Sequence, residues 1–364
     1  MVSPHDSNDS HHSNTLRHPQ HHPRPTFDKR LFALLLIAYV ALLVGCTSAG
    51  TSLTNIDYKT GTGTLALSFD SQYPPQTMTE GEQNAVVIIA KNSGGYSIPS
   101  GKLLVTTDDS VLYFGTKTAQ STNAKPINSV GLVKGNQPLY GKSIISPDGE
   151  QQSFSFDIYA LPLPQESQQR SATITAYACF PYETFQHAAV CIDFDPYKTL
   201  TSSQVQTACH SQDVTVDAGG GPVNVQVVQS RFDKDSQGNI LPSFYFTIQA
   251  DSNLKFFALG DQDAFCDASQ IIAKTHDTVY LAAYLSDQPL VCDGLQLVPG
   301  YQSTYAVPLT DSQAKVTCRT SQAIYANSNP SGPTGNYLAP LTINMTYGVV
   351  ATASQYVEVK AASN

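Results

Sequence analysis

The 364-residue chain carries 29 acidic and 20 basic side chains, a net charge of −9 at pH 7, so it does not read as a protein that grips nucleic acid or an anionic lipid surface by charge. Hydrophobic residues make up 41% and charged ones only 13%, with 19 tyrosines and no tryptophan, which suits an extracellular β protein.

Residues 1–30 are polar and proline-rich, without hydrophobic periodicity, and predict a disordered leader. Six of the nine histidines (His5, His11, His12, His18, His21 and His22) lie there. Histidine-rich tracts can bind metal, but a biased leader that is later discarded is the simpler reading. Lys29 and Arg30 then precede an apolar run of fifteen residues, 31–45, which ends in Leu43-Val44-Gly45-Cys46. The run falls short of the roughly 20 residues that span a hydrocarbon core. It matches the apolar region of a secretory signal, and a small residue before Cys46 reads as a lipobox in which the cysteine is acylated and becomes the new N-terminus. Segment 31–46 is thus a signal with lipobox or, uncleaved, a membrane anchor; Lys29 and Arg30 mark the cytoplasmic side in both cases. One acyl chain anchors only marginally, and a diacylated cysteine supplies the second. Four basic and three acidic residues precede Cys46, which leaves the remainder at −10. Residues 47–63, dominated by Ser, Thr and Gly, predict a flexible tether with a reach of roughly 20–25 Å.

From residue 64 strand-like runs alternate with turn signals about every ten residues. Runs at 65–69, 85–90, 103–105, 111–114 and 153–159 are followed by 173–179 and 188–192, read as a final hairpin turning about Phe185. This first unit, 64–197, is followed by a polar linker, 198–210. A second unit, 211–364, has strands at 223–228, 244–248, 279–285 and 295–298 and a last pair at 341–347 and 355–359. Each ending turns near a tyrosine, Tyr182 or Tyr347, which suggests a degenerate tandem repeat. No stretch has convincing helical period. The expectation is an all-β chain of two tandem immunoglobulin-like β-sandwiches after a disordered leader and a membrane-anchor segment.

Several segments carry a resemblance: Leu65-Ala66-Leu67-Ser68-Phe69, Tyr73-Pro74-Pro75, Glu80-Gly81-Glu82, the run from Val86 to Gly101, the block from Cys179 to Tyr197, and Gly220-Gly221-Pro222-Val223-Asn224-Val225. Across most of 64–360 the chain resembles uncharacterised archaeal surface lipoproteins with tandem immunoglobulin-like domains, distantly similar to adhesion-related and S-layer-associated domains. That resemblance implies a fold and a location. It transfers no catalytic residue and no ligand.

Beyond Cys46 there are six cysteines: Cys179, Cys191, Cys209, Cys266, Cys292 and Cys318. An even number outside the cytoplasm suggests disulfides. A hairpin about Phe185 places Cys179 opposite Cys191. Cys292–Cys318 is the second expected pair, and Cys209–Cys266 follows by elimination. Spacing argues against a metal cluster, since there is no Cys-x-x-Cys or matching histidine pattern. The stretch 233–240 sets Asp233, Asp235 and Asn239 at alternate positions with Gly238 between, as in a calcium loop. The twelfth position is Phe244 rather than the bidentate glutamate an EF-hand needs, so a polar hairpin turn is the competing reading. Asp261, Asp263 and Asp267 form a second acidic group of the same kind.

Nucleophile elbows, zinc-protease helices and phosphate loops are missing from the sequence. His187, His210 and His276, the only histidines after Cys46, have no neighbours that suggest a base. Asn344-Met345-Thr346 is a glycosylation sequon in a predicted strand. These features favour a non-enzymatic, membrane-anchored surface protein without a cofactor, acting in adhesion, envelope structure or binding of an envelope protein or glycan. A calcium-dependent or carbohydrate-directed binding module is the alternative, and a hydrolase built from loops the third.

Overall fold

Apolar residues at every second position become strands throughout the chain, and the clearest case alternates buried and half-buried residues over eleven positions from Ile240 to Ala250. A computed structural model describes residues 59–115, 127–135, 137–198, 209–237, 239–259, 266, 277–324 and 336–362. The leader, segment 31–46 with Cys46, and residues 47–58 of the tether lie outside the described residues. The described part is all-β, with strands and no helix.

β1 (Leu65–Phe69), β3 (Gln83–Asn92), β7 (Gln151–Ala160) and β5 (Leu112–Phe114) form one four-stranded antiparallel sheet in that order. A larger sheet runs through β6 (Ile127–Gly131), β4 (Lys102–Thr106), β8 (Gln169–Ile192), β18 (Tyr337–Lys360) and β13 (Thr278–Leu285). Beyond β13 it continues into β16 (Thr304–Pro308) and β15 (Gln296–Leu297). β14 (Gln288–Cys292) turns the corner: its first residues pair with β13 and its last with β17 (Gln313–Thr320). From there the order is β11 (Ile240–Ala250), β10 (Val223–Lys234) and β9 (Val214–Thr215).

The spine of the molecule is the pair β8–β18. Each strand has 24 residues, and they are antiparallel partners along their whole length, from Tyr337 opposite Ile192 to Lys360 opposite Gln169. At about 3.3 Å per residue each runs roughly 80 Å along its contour. On its other side β18 meets β13, then β12 (Lys255–Phe257), then β2 (Thr77–Thr79), which is parallel to it. One face of the spine is buried from end to end, through Ala172, Ile174, Ala176, Ala178, Phe180 and Tyr182 on β8 and Ile343, Met345, Tyr347, Val349 and Val357 on β18. β1 packs against β18 over one stretch of that face, and β10 against β8 over another, giving two sandwiches with a common central sheet. A single large apolar cluster runs through both.

Two expectations need correction. Residues 173–179 and 188–192 are not the arms of a hairpin but one strand, and so are 341–347 and 355–359. The two segments that echo each other in sequence are each other's ladder partners. Pro181 reads as a breaker, yet β4 ends opposite Cys179, so at Pro181 β8 has β18 alone beside it, and proline is tolerated on such an open side. The expected units 64–197 and 211–364 also divide the chain differently from the way strands are shared. β2, from the first unit, pairs with the end of β18, and the second half of β8 lies beside strands of the second unit. All described residues fall within one compact unit, 57–364. Gly61 and Gly63 belong to the fold as well, Gly61 bridging Gly219 and Gly63 lying against Ser93.

Candidate functional site

Where the two sandwiches adjoin on the buried face of the spine, the period-2 pattern places polar residues where apolar ones stand elsewhere. Thr184 and Gln186 on β8 are both buried, and so is Tyr347 on β18. A buried polar group must be hydrogen-bonded to avoid a cost of about 1–3 kcal/mol. Gln186 meets this by bridging to β10: its Oε1 accepts from Val225 N–H at 2.7 Å, and its Nε2 donates to the carbonyls of Asp217 (2.7 Å) and Val225 (3.0 Å). The Thr184 and Tyr347 hydroxyls share a 2.6 Å bond. Tyr182 accepts from Tyr96 N–H at 3.3 Å and donates to Gly220 carbonyl at 3.2 Å. Asn224 Oδ1 accepts from Gly219 N–H, and Asn92 Nδ2 donates to the carbonyls of Tyr96 and Leu139. Glycines make room for this packing. A Cβ on Gly94 would collide with the Tyr182 hydroxyl, and one on Gly221 with the hydroxyls of Thr184 and Tyr347.

Burial pushes the Tyr182 phenol up to about 12 and moves Tyr347 upward too, so both stay protonated at neutral pH. Held as neutral hydrogen-bonding groups in packed surroundings, they join two sandwiches. They are not poised as acids or bases.

The stretch 233–240 is the turn of the β10–β11 hairpin, the polar-turn reading of that stretch. Asp235 Oδ1 accepts from the N–H groups of Gln237 and Asn239, both at 2.8 Å, and its Oδ2 accepts from Asn239 Nδ2 at 2.9 Å. The carboxylate is thus engaged by its own turn, while Asp233 is exposed on β10 opposite Leu241. Asp235 and Asn239 are brought together by these bonds, while Asp233 lies on β10. Among the described residues no group of three or more His, Cys, Asp or Glu side chains could hold a metal ion. Asp261, Asp263, Asp267 and His276 lie outside the described residues.

The cysteines pair differently from the expectation in two of three cases. Cys292 and Cys318 are bonded, directly opposite on β14 and β17, as expected. Cys191 is bonded to Cys209, not to Cys179. The reason is the continuous β8: twelve residues of one strand hold positions 179 and 191 about 40 Å apart. Cys209 is therefore not available to Cys266 either. Cys179 and Cys266 are in neither bond; both are buried, and both belong to one small apolar cluster.

A cleft of about 240 Å³ opens beside the spine, lined by Ser97, Pro99, Pro181, Glu183, Leu259 and Thr346 among others. It is smaller than the roughly 300–1,000 Å³ of ligand pockets, and among its described lining residues Glu183 is the only ionisable side chain apart from the buried Tyr182. His187 Nδ1 lies 3.4 Å from the Thr342 hydroxyl on an exposed face, a long contact, with Phe185 edge-on to the imidazole. Asn344 of the sequon is in the middle of β18 with strands on both sides, and its Oδ1 is buried.

Compared with known protein families and with curated proteins, the sequence matches none. The solved structures it is similar to include distant likenesses. The C-terminal globular domain of an oligosaccharyltransferase from Pyrococcus abyssi matches at 9% identity and a TM-score of 0.21, over 83% of this chain and 50% of that one. This chain thus spans half the length of that structure. Spo0M, a sporulation control protein from Bacillus subtilis, matches at 13% identity and a TM-score of 0.15, over 52% of this chain and 80% of that one. Native alpha-2-macroglobulin of E. coli matches at 9% identity and 0.16, over 83% of this chain and 16% of that one.

Proposed function

We propose that the chain is a non-enzymatic cell-surface protein, held to the membrane through Cys46, whose joined β-sandwiches form a stiff body for adhesion, envelope structure or the binding of an envelope protein or glycan. The observation that carries this reading is the pair of disulfides, Cys191–Cys209 and Cys292–Cys318. Disulfides persist outside the reducing cytosol, the side of the membrane to which the basic flank, apolar run and Leu43-Val44-Gly45-Cys46 would deliver the chain. No helix among the described residues is long and apolar enough to cross a membrane; in this reading attachment is through segment 31–46.

The point of attachment shapes what such a body presents. Gly61 bridges Gly219, beside Thr184 and Phe185 near the middle of β8, so the tether joins the spine partway along and not at a tip. With 12 residues between Cys46 and Lys59, the tether reaches roughly 20 Å.

The test is membrane attachment of the full chain in cells, comparing wild type with Cys46→Ser by detergent phase partition and by labelling intact cells with an impermeant amine reagent. The reading requires wild type in the detergent phase, labelled from outside, and Cys46→Ser released or retaining its leader. Equal mature mass and equal membrane fraction for both proteins would refute lipid attachment, and an unlabelled, cytoplasmic wild type would refute the surface location.

A further inference from the structure

The face of the spine opposite the main core is not uniformly polar. Leu104 on β4, Cys179 on β8, Val350 on β18, Phe257 on β12 and Cys266 form a second, separate apolar cluster there, with Tyr177 packed against it. The ladder register explains the grouping: Cys179 is opposite Val350, Tyr177 opposite Leu104, and Phe257 opposite Gly348. A Cβ on Gly348 would run into the Phe257 ring, so the glycine lets that ring lie flat against the strand. Cys266 lies between β12 and β13 in sequence and belongs to this patch, where it is the group that acts most strongly on the Cys179 thiol. Neither cysteine has water as its main neighbour: Cys179 is 0% exposed and Cys266 6%.

We infer that Cys179 and Cys266 are the partners of a third disulfide, which joins Cys266 to the outer face of β8. Three observations meet here. The other four cysteines beyond Cys46 are already joined in two bonds. The remaining two are buried members of one small cluster. Each is the other's near neighbour despite a separation of 87 positions in sequence, which no local constraint imposes. This inference is independent of the surface reading, because it concerns how the thiols meet and not where the protein sits.

The oxidant is a small-molecule or protein disulfide, of the same class needed for the other two bonds. A donor disulfide RSSR is attacked by the Cys266 sulfur, the more exposed of the two, giving a mixed disulfide and one RSH. The Cys179 sulfur, having lost its proton, then attacks the Cys266 sulfur and displaces the second RSH. The protein gives up two protons and two electrons, and the donor is reduced to two thiols. The contact with Cys266 and the burial of Cys179 hold its thiol well above the usual range. The thiolate is the reacting form, so the exchange belongs to the folding chain, before the cluster closes.

The experiment refolds the reduced full chain in detergent with oxidised glutathione as the donor, alkylates all remaining thiols in denaturant, and maps peptides without reduction. The result expected is a linked peptide joining 179 to 266, alongside 191–209 and 292–318, with no alkyl group on either Cys179 or Cys266. Alkylated or glutathionylated Cys179 and Cys266 beside intact 191–209 and 292–318 would overturn the inference. A 179–191 or 209–266 linkage would overturn it as well. As a second measurement, Cys266→Ser should leave Cys179 alkylatable only after denaturation. Cys179 bonded to another cysteine in that variant would count against the pairing.

Discussion

Tyr182 shows how a single residue holds the two sandwiches together. Its hydroxyl accepts from the backbone of Tyr96 and donates to Gly220, linking segments that flank β3 and β10. The fold also fixes its protonation state. In the folded protein its pKa is raised to about 12, and an unfolded tyrosine titrates near 10. Raised above its unfolded value, the group contributes stability that is fully present below about pH 10. Between pH 10 and 12 the unfolded chain binds fewer protons than the folded one, so stability falls as pH rises, by about 3 kcal/mol across the window. Tyr347, shifted the same way by burial, extends the loss. Replacing Tyr182 with Phe leaves Tyr96 N–H and Gly220 carbonyl without this partner and should cost about 1–3 kcal/mol at neutral pH. It should also flatten the alkaline slope. Melting temperatures of both proteins from pH 7 to 11 check this, and an equally steep alkaline loss in Tyr182→Phe would show that the phenol is not its source.

At the scale of elements, the sequence reveals strands well and their continuity poorly. Alternation at 65–69, 153–159 and 244–248 marks β1, β7 and β11, and the polar stretch 235–239 marks the turn between β10 and β11. Periodicity reports which face a residue takes, but a strand that passes from one sandwich to the next keeps its period, with Pro181 and Gly348 as punctuation at mid-length. Those two residues are opposite each other in the β8–β18 ladder, so an apparent pair of turns is one crossing point. Taking β8 as continuous would also have exposed Thr184 and Gln186 as polar residues on a buried face, because the even positions from Ala172 to Tyr182 run directly into them. β14 and β16 were not legible because they are only five residues long, and β17 because polar residues outnumber apolar ones in it; all three are set by neighbours distant in sequence. The Cys191–Cys209 bond was hidden for the same reason that the hairpin was assumed. Position within β8 decides what proline costs. Pro181 is natural where β8 has one neighbour, whereas Ala178 is between Leu103 of β4 and Ala351 of β18. Ala178→Pro should therefore cost about 3 kcal/mol or more, through a lost ladder bond and a forced backbone. Pro181→Ala should stay within about 1 kcal/mol of wild type. Denaturant midpoints of the two variants decide it, and equal effects would contradict the one-sided position of Pro181.

For the whole molecule, the consequence of a spine common to both sandwiches is that neither is complete without the other. The sheet that packs against β1 and β3 draws its end from the last strand of the chain, through β18 against β2, and the sheet beside β10 draws an edge from β8. Removing either half leaves a long ladder of unpaired backbone, the kind of edge that folded proteins avoid. Separate unfolding of two tandem domains is therefore not available to this chain, and stiffness over the length of the spine follows from the same fact. Scanning calorimetry of the full chain in detergent measures this directly. One endotherm, with equal calorimetric and van't Hoff enthalpies, is the result the shared spine predicts. Two resolved endotherms, each with the enthalpy of a unit half the size, would contradict it.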